Sequence, residues 1–264
     1  MADFGLSERL VRTGVYRLQK LGILQSRTEG RRAYYSLSDL GRATFETAEK
    51  RIYQLPDKSW NGEWQLIYLL PGLSGKERRR VKKELAWQSF GEIGPSLLAR
   101  PSNQTLDQSF LVKEETLKQF ILPFTSKLDS EFPDVALSSL VANSWELDQL
   151  QSDYEKFIAR FTMQEHDLDG LLRKNASAPF VLRTLLIHDY RHLLLHDPQL
   201  PEDLLPKNWT GTHASELAAS IYKETASNAQ NYAIEKLSPN EASEVKINPD
   251  FYRRFDNLDS DRQN

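Results

Sequence analysis

Six side chains between Ser7 and Leu21 have the types and spacing to grip a nucleic acid: Arg9, Arg12, Thr13, Tyr16, Arg17 and Lys20. Guanidinium groups make paired hydrogen bonds to guanine edges, while hydroxyls and ammonium groups reach phosphate oxygens. Arg27, Arg31, Arg32 and Tyr34 follow in a second basic stretch. From Ser7 to Tyr35 seven Arg or Lys oppose two Glu, a balance of +5 in a chain whose total is −3. Basic charge is therefore concentrated here. Because both stretches share the bias, duplex DNA accounts for it better than a solvated charged face does.

Other clusters suggest other chemistry. Lys76-Glu-Arg-Arg-Arg-Val-Lys-Lys83 carries six cations in eight positions. Arg78, Arg79 or Lys82 could hold a nucleotide phosphate or coenzyme A; the alternative is a solvated helix face with Val81, Leu85 and Trp87 buried beneath. His188, His192 and His196 recur every four residues, a spacing at which imidazoles chelate zinc. No Glu follows His188 as in zinc proteases, and a helix C-terminus favours histidine without a metal. No metal site is expected, with those three histidines as the candidates if one existed. Asp197, before Pro198, reads as a turn or cap residue. Trp145, Tyr154 and Trp209 could stack on an aromatic acyl group, although buried aromatics usually build core. With no nucleophile elbow and no phosphate-cradling glycine loop, no catalytic residue is expected and the chain does not read as an enzyme.

Local patterning supplies the elements that position these groups. Leu10, Val11, Val15, Leu18 and Leu21 recur at three- and four-residue intervals, predicting a helix with one apolar stripe, capped by Ser7 and stopped by Gly22. Ile23 to Arg27 and Arg31 to Leu37 bracket Thr28-Glu29-Gly30, a hairpin turn. A basic helix followed by a basic hairpin is the DNA-contacting half of a winged helix-turn-helix. Only Met1 to Leu6 precede it, so the stripe lacks the earlier helices that usually cover it. The expectation is a fragment or late start, or cover from elsewhere in the molecule or from a second copy.

Further along, Ser38-Asp39 opens a helix to about Gln54, and Pro56 to Gly62 is a polar linker. Trp64 to Pro71 reads as a buried strand, Gly75 to Phe90 as a helix stopped by Gly91, and Pro95 to Pro101 as a second strand. This pattern predicts an α+β unit of the split βαβ kind. From Ser144 the period is helical through Trp145, Leu147, Leu150, Tyr154, Phe157, Ile158 and Phe161. The polar tail after Ser238 is expected to be disordered. The implied domains are 1–55 (partial winged helix), 56–63 (linker), 64–142 (α+β), 143–237 (helical) and 238–264 (tail). The 264 residues are 39% hydrophobic and 27% charged and include no cysteine, which excludes disulfide and thiolate chemistry. No apolar run approaches the roughly 20 residues that span a bilayer, and a cytoplasmic home fits.

A family resemblance rests on Phe4-Gly5, Val11-Arg-Thr-Gly-Val-Tyr-Arg-Leu18, Gly30-Arg-Arg-Ala-Tyr-Tyr-Ser-Leu37, Trp64, Phe90-Gly91 and Trp145-Glu-Leu-Asp148. It is most specific in Leu186-Ile-His-Asp-Tyr-Arg-His192, Asp197-Pro-Gln-Leu-Pro201, Leu204-Leu-Pro206 and Trp209-Thr-Gly211. Over about residues 4 to 225 the chain resembles the PaaX family, the transcriptional repressors of phenylacetic acid degradation. The resemblance implies an α+β multidomain protein with an N-terminal winged helix, here partial, a ferredoxin-like (Cas2-like) middle domain and a helical C-terminal domain. It implies a homodimer that binds double-stranded promoter DNA and is released by phenylacetyl-coenzyme A or a related acyl-coenzyme A. No cofactor and no membrane are implied. Ser7, Arg9, Arg12, Thr13, Tyr16, Arg17 and Lys20 would belong to the reading helix, and Arg31, Arg32 and Tyr34 to the wing. Arg78, Arg79, Lys82, Trp145 and Trp209 are candidates for the effector. A Cas2-like nuclease would need acids at the end of the first strand, where Leu69-Leu70-Pro71-Gly72 has none. The alternative reading is a ligand-binding or dimerisation protein without competent DNA binding, because its first helices are missing.

Overall fold

The structure, a computed structural model, describes residues 2–53, 60–102, 115–127, 134–166, 170, 175–237, 247–255 and 258. In chain order its elements are α1 (Glu8–Lys20), β1 (Leu24–Glu29), β2 (Arg32–Leu37), α2 (Asp39–Tyr53), β3 (Glu63–Leu69), α3 (Gly75–Trp87), β4 (Gly91–Gly94), β5 (Leu97–Pro101), α4 (Glu115–Lys118), β6 (Ile121–Lys127), α5 (Asp134–Ser144), α6 (Leu147–His166), α7 (Ala178–Leu194) and α8 (Thr210–Leu237). This is an α+β protein. It divides into two compact units, residues 1–55, 160–191 and 216–264, and residues 56–159 and 192–215. The sequence pattern suggested consecutive domains; the compact units are discontinuous because α6, α7 and α8 supply residues to both.

In the first unit, Ser7 caps α1 by accepting from the Leu10 N–H at 3.3 Å, and β1 pairs antiparallel with β2 from Leu24↔Leu37 to Glu29↔Arg32. The turn is shorter than the sequence pattern suggested: Gly30 and Arg31 alone connect the strands, and Gly30 supplies a positive φ of 60°. Ser38 ties the hairpin to α2. Its hydroxyl donates to the carbonyls of Gly22 and Ile23 and accepts from the Gly41 N–H at 3.0 Å. A Cβ at Gly41 would meet the Ile23 carbonyl oxygen at 2.3 Å, so only glycine allows this approach.

The helical part of this unit buries Phe161, Leu182, Leu186, Tyr190, Ile221 and Tyr222. Residues from the expected disordered tail join them. Pro249–Arg253 form a 3-10 turn, and Phe251 and Phe255 are buried among Tyr53, Tyr190 and Tyr222, with ring centroids 5.1 to 6.5 Å apart. Composition concealed this, because two aromatic anchors carry the contact and the residues around them are polar. Residues 238–246 and 259–264 lie outside the described residues.

The second unit is built on a four-stranded antiparallel sheet of order β4-β5-β3-β6. Alternation along the strands sends Ile67, Leu69 and Leu98 to one face, where they pack with Val81 and Leu85 of α3. Trp64 and Ala99 point the other way, onto Val141, Leu147, Leu200 and Leu204. Strand β4 lies where Gly91 read as a stop signal. Trp87, expected on the buried side of α3, is 51% exposed: two residues beyond Leu85, it falls on the opposite side of the helix.

Candidate nucleic-acid interface

Helix α1 buries none of its residues. Its outward face keeps Arg9, Arg12, Thr13, Tyr16, Arg17 and Lys20 in solvent. Arg12 pairs with Glu8 at 2.8 Å, an exposed contact of little energetic weight that a phosphate can replace. The Thr13 hydroxyl donates to the Arg9 carbonyl at 2.9 Å, and the Lys20 ammonium stands 5.2 Å from the Tyr16 ring centre. Among the described residues the Arg9, Arg17 and Arg31 side chains carry no ion pair. Gln19 donates to the Ser26 hydroxyl at 3.0 Å, fixing α1 against the hairpin. On the hairpin, Arg27 pairs with Glu29 at 2.8 Å, Tyr34 is exposed and lies opposite Arg27, and Arg31 occupies the turn. The side chain of Arg32 lies outside the described residues. Helix and hairpin thus present their described cations to solvent on short elements.

The same helix leaves its apolar stripe open. Leu10 is 57% exposed and Leu21 67%, and the exposed large side chains Leu18, Leu40 and Phe45 lie in the same helix–hairpin–helix segment. The sequence predicted a stripe that must pack on something, and among the described residues it packs only partly.

The five effector candidates have separate surroundings. Arg78 donates to the Pro95 carbonyl at 3.3 Å and to the Ser96 hydroxyl at 3.1 Å, and Lys82 pairs with Glu92. Both are held inside their own unit. Arg79 is exposed. Trp145 donates its indole N–H to the Ser89 carbonyl at 2.9 Å and lies over Gly91, where a Cβ would meet its ring at 2.5 Å. It is a packing residue, and Gly91 is small because Trp145 needs the space. Trp209 packs edge-on against Tyr154 and lines a cleft of about 750 Å³ with Leu137, Val141, Leu205 and Lys207.

The histidines do not assemble a metal centre: among the described residues no group of three His, Asp or Glu converges on one point. His196 instead takes the His192 carbonyl at 2.9 Å, and the two rings meet edge to face at 5.1 Å. Asp197 holds a turn, accepting from the Gln199 N–H at 2.6 Å and from the Tyr154 hydroxyl.

One cluster escaped the sequence reading. Arg254 reaches Glu49 through two nitrogens at 2.5 and 3.0 Å, donates to the Tyr222 hydroxyl at 2.8 Å and covers the Tyr53 ring at 4.3 Å. Burial pushes the Tyr53 phenol well above its ordinary range. The run Phe251-Tyr-Arg-Arg-Phe255, aromatic and basic within a polar tail, was the available signal.

These features define an α+β protein with one cluster of exposed cations on a capped helix and hairpin, and with aromatic candidates mostly committed to packing. The family model for PaaX-like protein matches residues 1–41, and that for the PaaX-like protein C-terminal domain matches residues 145–235. The chain is 35% identical over 267 residues to Transcriptional repressor PaaX of Escherichia coli (strain K12), covering 100% of this chain and 83% of that relative. The chain belongs to the PaaX-like family, whose members are regulators and not enzymes. Its fold is similar to that of Uncharacterized protein Rv0674 from Mycobacterium tuberculosis, with a TM-score of 0.55 and 20% identity over 88% of this chain and 87% of that one. No described helix is long and apolar enough to cross a membrane.

Proposed function

We propose that this chain is a DNA-binding transcriptional repressor of aromatic, phenylacetate-type catabolic genes. It acts in the cytoplasm as a homodimer on promoter DNA and is released by phenylacetyl-coenzyme A or a related acyl-coenzyme A. The observation that carries the proposal is full-length similarity to a repressor, joined to a solvent-facing cationic helix and hairpin in the part that matches the N-terminal family model. In this reading α1–β2 is a winged helix. Ser7, Arg9, Arg12, Thr13, Tyr16, Arg17 and Lys20 face the major groove, while Arg31, Arg32 and Tyr34 reach phosphates or the minor groove. The strand order β4-β5-β3-β6 supports a ferredoxin-like middle domain. Repression is steric, since the bound dimer occludes polymerase. Release follows if the thioester favours a conformation whose reading helices no longer match the half-sites. A preference of about 3 kcal/mol would lower DNA affinity on the order of a hundredfold. Among the effector candidates, Trp209 with its cleft is best placed to take the aromatic acyl end.

The test is fluorescence anisotropy on the promoter upstream of the protein's own gene and on a scrambled duplex, with and without phenylacetyl-coenzyme A. Arg12→Ala and Arg17→Ala should each cost about 1–3 kcal/mol on the promoter and narrow its advantage over the scrambled duplex. Equal binding to both duplexes by the unaltered chain would overturn the reading. The open stripe of α1 favours a second reading, an effector-binding or dimerisation module without competent DNA binding. Thioester binding with no promoter selectivity would establish it.

A further inference from the structure

We propose that α3 is a second, sequence-independent contact to the phosphodiester backbone of duplex DNA, made by Lys76, Arg79 and Lys83 beside the exposed Trp87. The proposal rests on the DNA-binding reading and extends it to the other compact unit. At 100° per residue these four positions fall within about an 80° arc of the helix, opposite the side that buries Val81 and Leu85. All four are exposed, and among the described residues Lys76, Arg79 and Lys83 carry no ion pair. The other three cations of the helix are disposed differently: Arg78 and Lys82 are spent on Ser96 and Glu92, and Arg80 lies outside the arc with an interaction of its own.

Charge decides between a solvated face and a docking face. Like charges at i,i+3 and i,i+4 destabilise a helix, and here Lys76, Arg79 and Lys83 stand in that relation along one crest. The two acids of α3 do not relieve it. Glu77 is engaged in the capping box, its carboxylate accepting from the Ser74 N–H at 2.8 Å, and Glu84 lies off the arc. The helix carries +4 and the α1–hairpin stretch +5 in a chain of −3, so everything else carries −12. Net positive charge is therefore concentrated at two places in a chain whose remainder is net acidic. A polyanion relieves the repulsion along the crest, and three cations spaced by three or four residues suit a run of phosphates better than one small anion. An exposed tryptophan at the end of the crest adds an N–H donor and an apolar surface for deoxyribose, which solvation alone would not retain.

The experiment measures anisotropy of the full chain on promoter and scrambled duplexes from low to moderate salt, comparing the parent with K76Q/R79Q/K83Q. The expected result is a loss of affinity by the same factor on both duplexes, on the order of a hundredfold at low salt. The slope of log K against log salt should fall by about 2 to 3, or roughly 0.9 for each phosphate no longer neutralised. K76R/K83R should keep the parental slope, and Trp87→Ala should weaken both duplexes without changing it. Melting curves identify any variant that has lost its fold, and the single substitutions, each expected to lower the slope by about one, then replace it. An unchanged slope in a folded variant overturns the proposal. So does a loss confined to coenzyme A binding, which would make α3 a nucleotide site. The two readings fail separately. Selective promoter binding with an unaltered slope sinks only the role of α3, whereas slope changes without promoter selectivity sink only the repressor reading.

Discussion

Helices α1 and α3 are alike on paper: thirteen residues each, basic, amphipathic and capped by a serine. Their surroundings are opposite. Val81 and Leu85 anchor α3 beneath a sheet, while α1 buries nothing and is held by its ends, through the Ser7 cap, the Gln19–Ser26 bond and the turn into β1. A helix stabilised mostly by a packed face keeps its place whatever its crest binds. One held by caps and a hairpin depends on what covers its stripe.

The largest effect should separate the two helices directly. Leu85→Ala removes a fully buried side chain and should cost about 2–5 kcal/mol in urea denaturation. Leu10→Ala, more than half exposed, should cost less than about 1 kcal/mol. Equal losses would mean that the α1 stripe is covered in solution, and the contrast would collapse.

Next in size is the anchor behind α2. Removing the Arg254 guanidinium by Arg254→Ala leaves Glu49 without its half-buried partner and uncovers Tyr53, for an expected loss of about 2 kcal/mol. A thermal shift indistinguishable from the parent's would mean that the 249–255 turn does not hold α2. Ser74→Ala and Ser7→Ala each remove a hydroxyl that accepts from the first turn of a helix, while the Ser74 backbone N–H keeps its bond to Glu77, so each should cost about 1 kcal/mol. Melting temperatures unchanged from the parent's would contradict the cap assignments.

The smallest effect concerns pH. Hydrogen bonds from the Ser74 hydroxyl and backbone N–H hold the Glu77 carboxyl below its usual range. A group depressed in the folded state contributes stability above its unfolded value and loses it as pH falls through the folded value. Acid should therefore loosen the first turn of α3, and an NMR titration should show the Glu77 carboxyl protonating below the ordinary glutamate range. Titration within the ordinary glutamate range would remove that cap from the account.

Much of the α1–hairpin segment was legible because its determinants are local. The apolar period, Ser7, Gly22 and a glycine-containing turn all lie within a few residues of what they control. The boundaries moved where local cues compete: Gly91 looked like a helix stop, yet it opens β4, since the space above it belongs to Trp145, fifty-four positions later. The exposure of Trp87 was recoverable from helical spacing alone, which sets it across the helix from Leu85. Nothing local marks Trp145 as packing and Trp209 as lining a cleft, since both are tryptophans next to a helix end, Trp145 between α5 and α6 and Trp209 just before α8.

By itself, then, the sequence determined the elements, their caps and the two sites of positive charge, because helix period, capping and charge act over a few residues. Only the tertiary structure decided which aromatic residues are committed to packing, which cations of α3 are spent within the fold, and that Phe255 and Arg254 return to Tyr53 and Glu49. Those contacts join residues about two hundred positions apart. They are chosen by which surfaces fit and exclude water once the elements exist, and such a choice leaves no periodic trace along the chain.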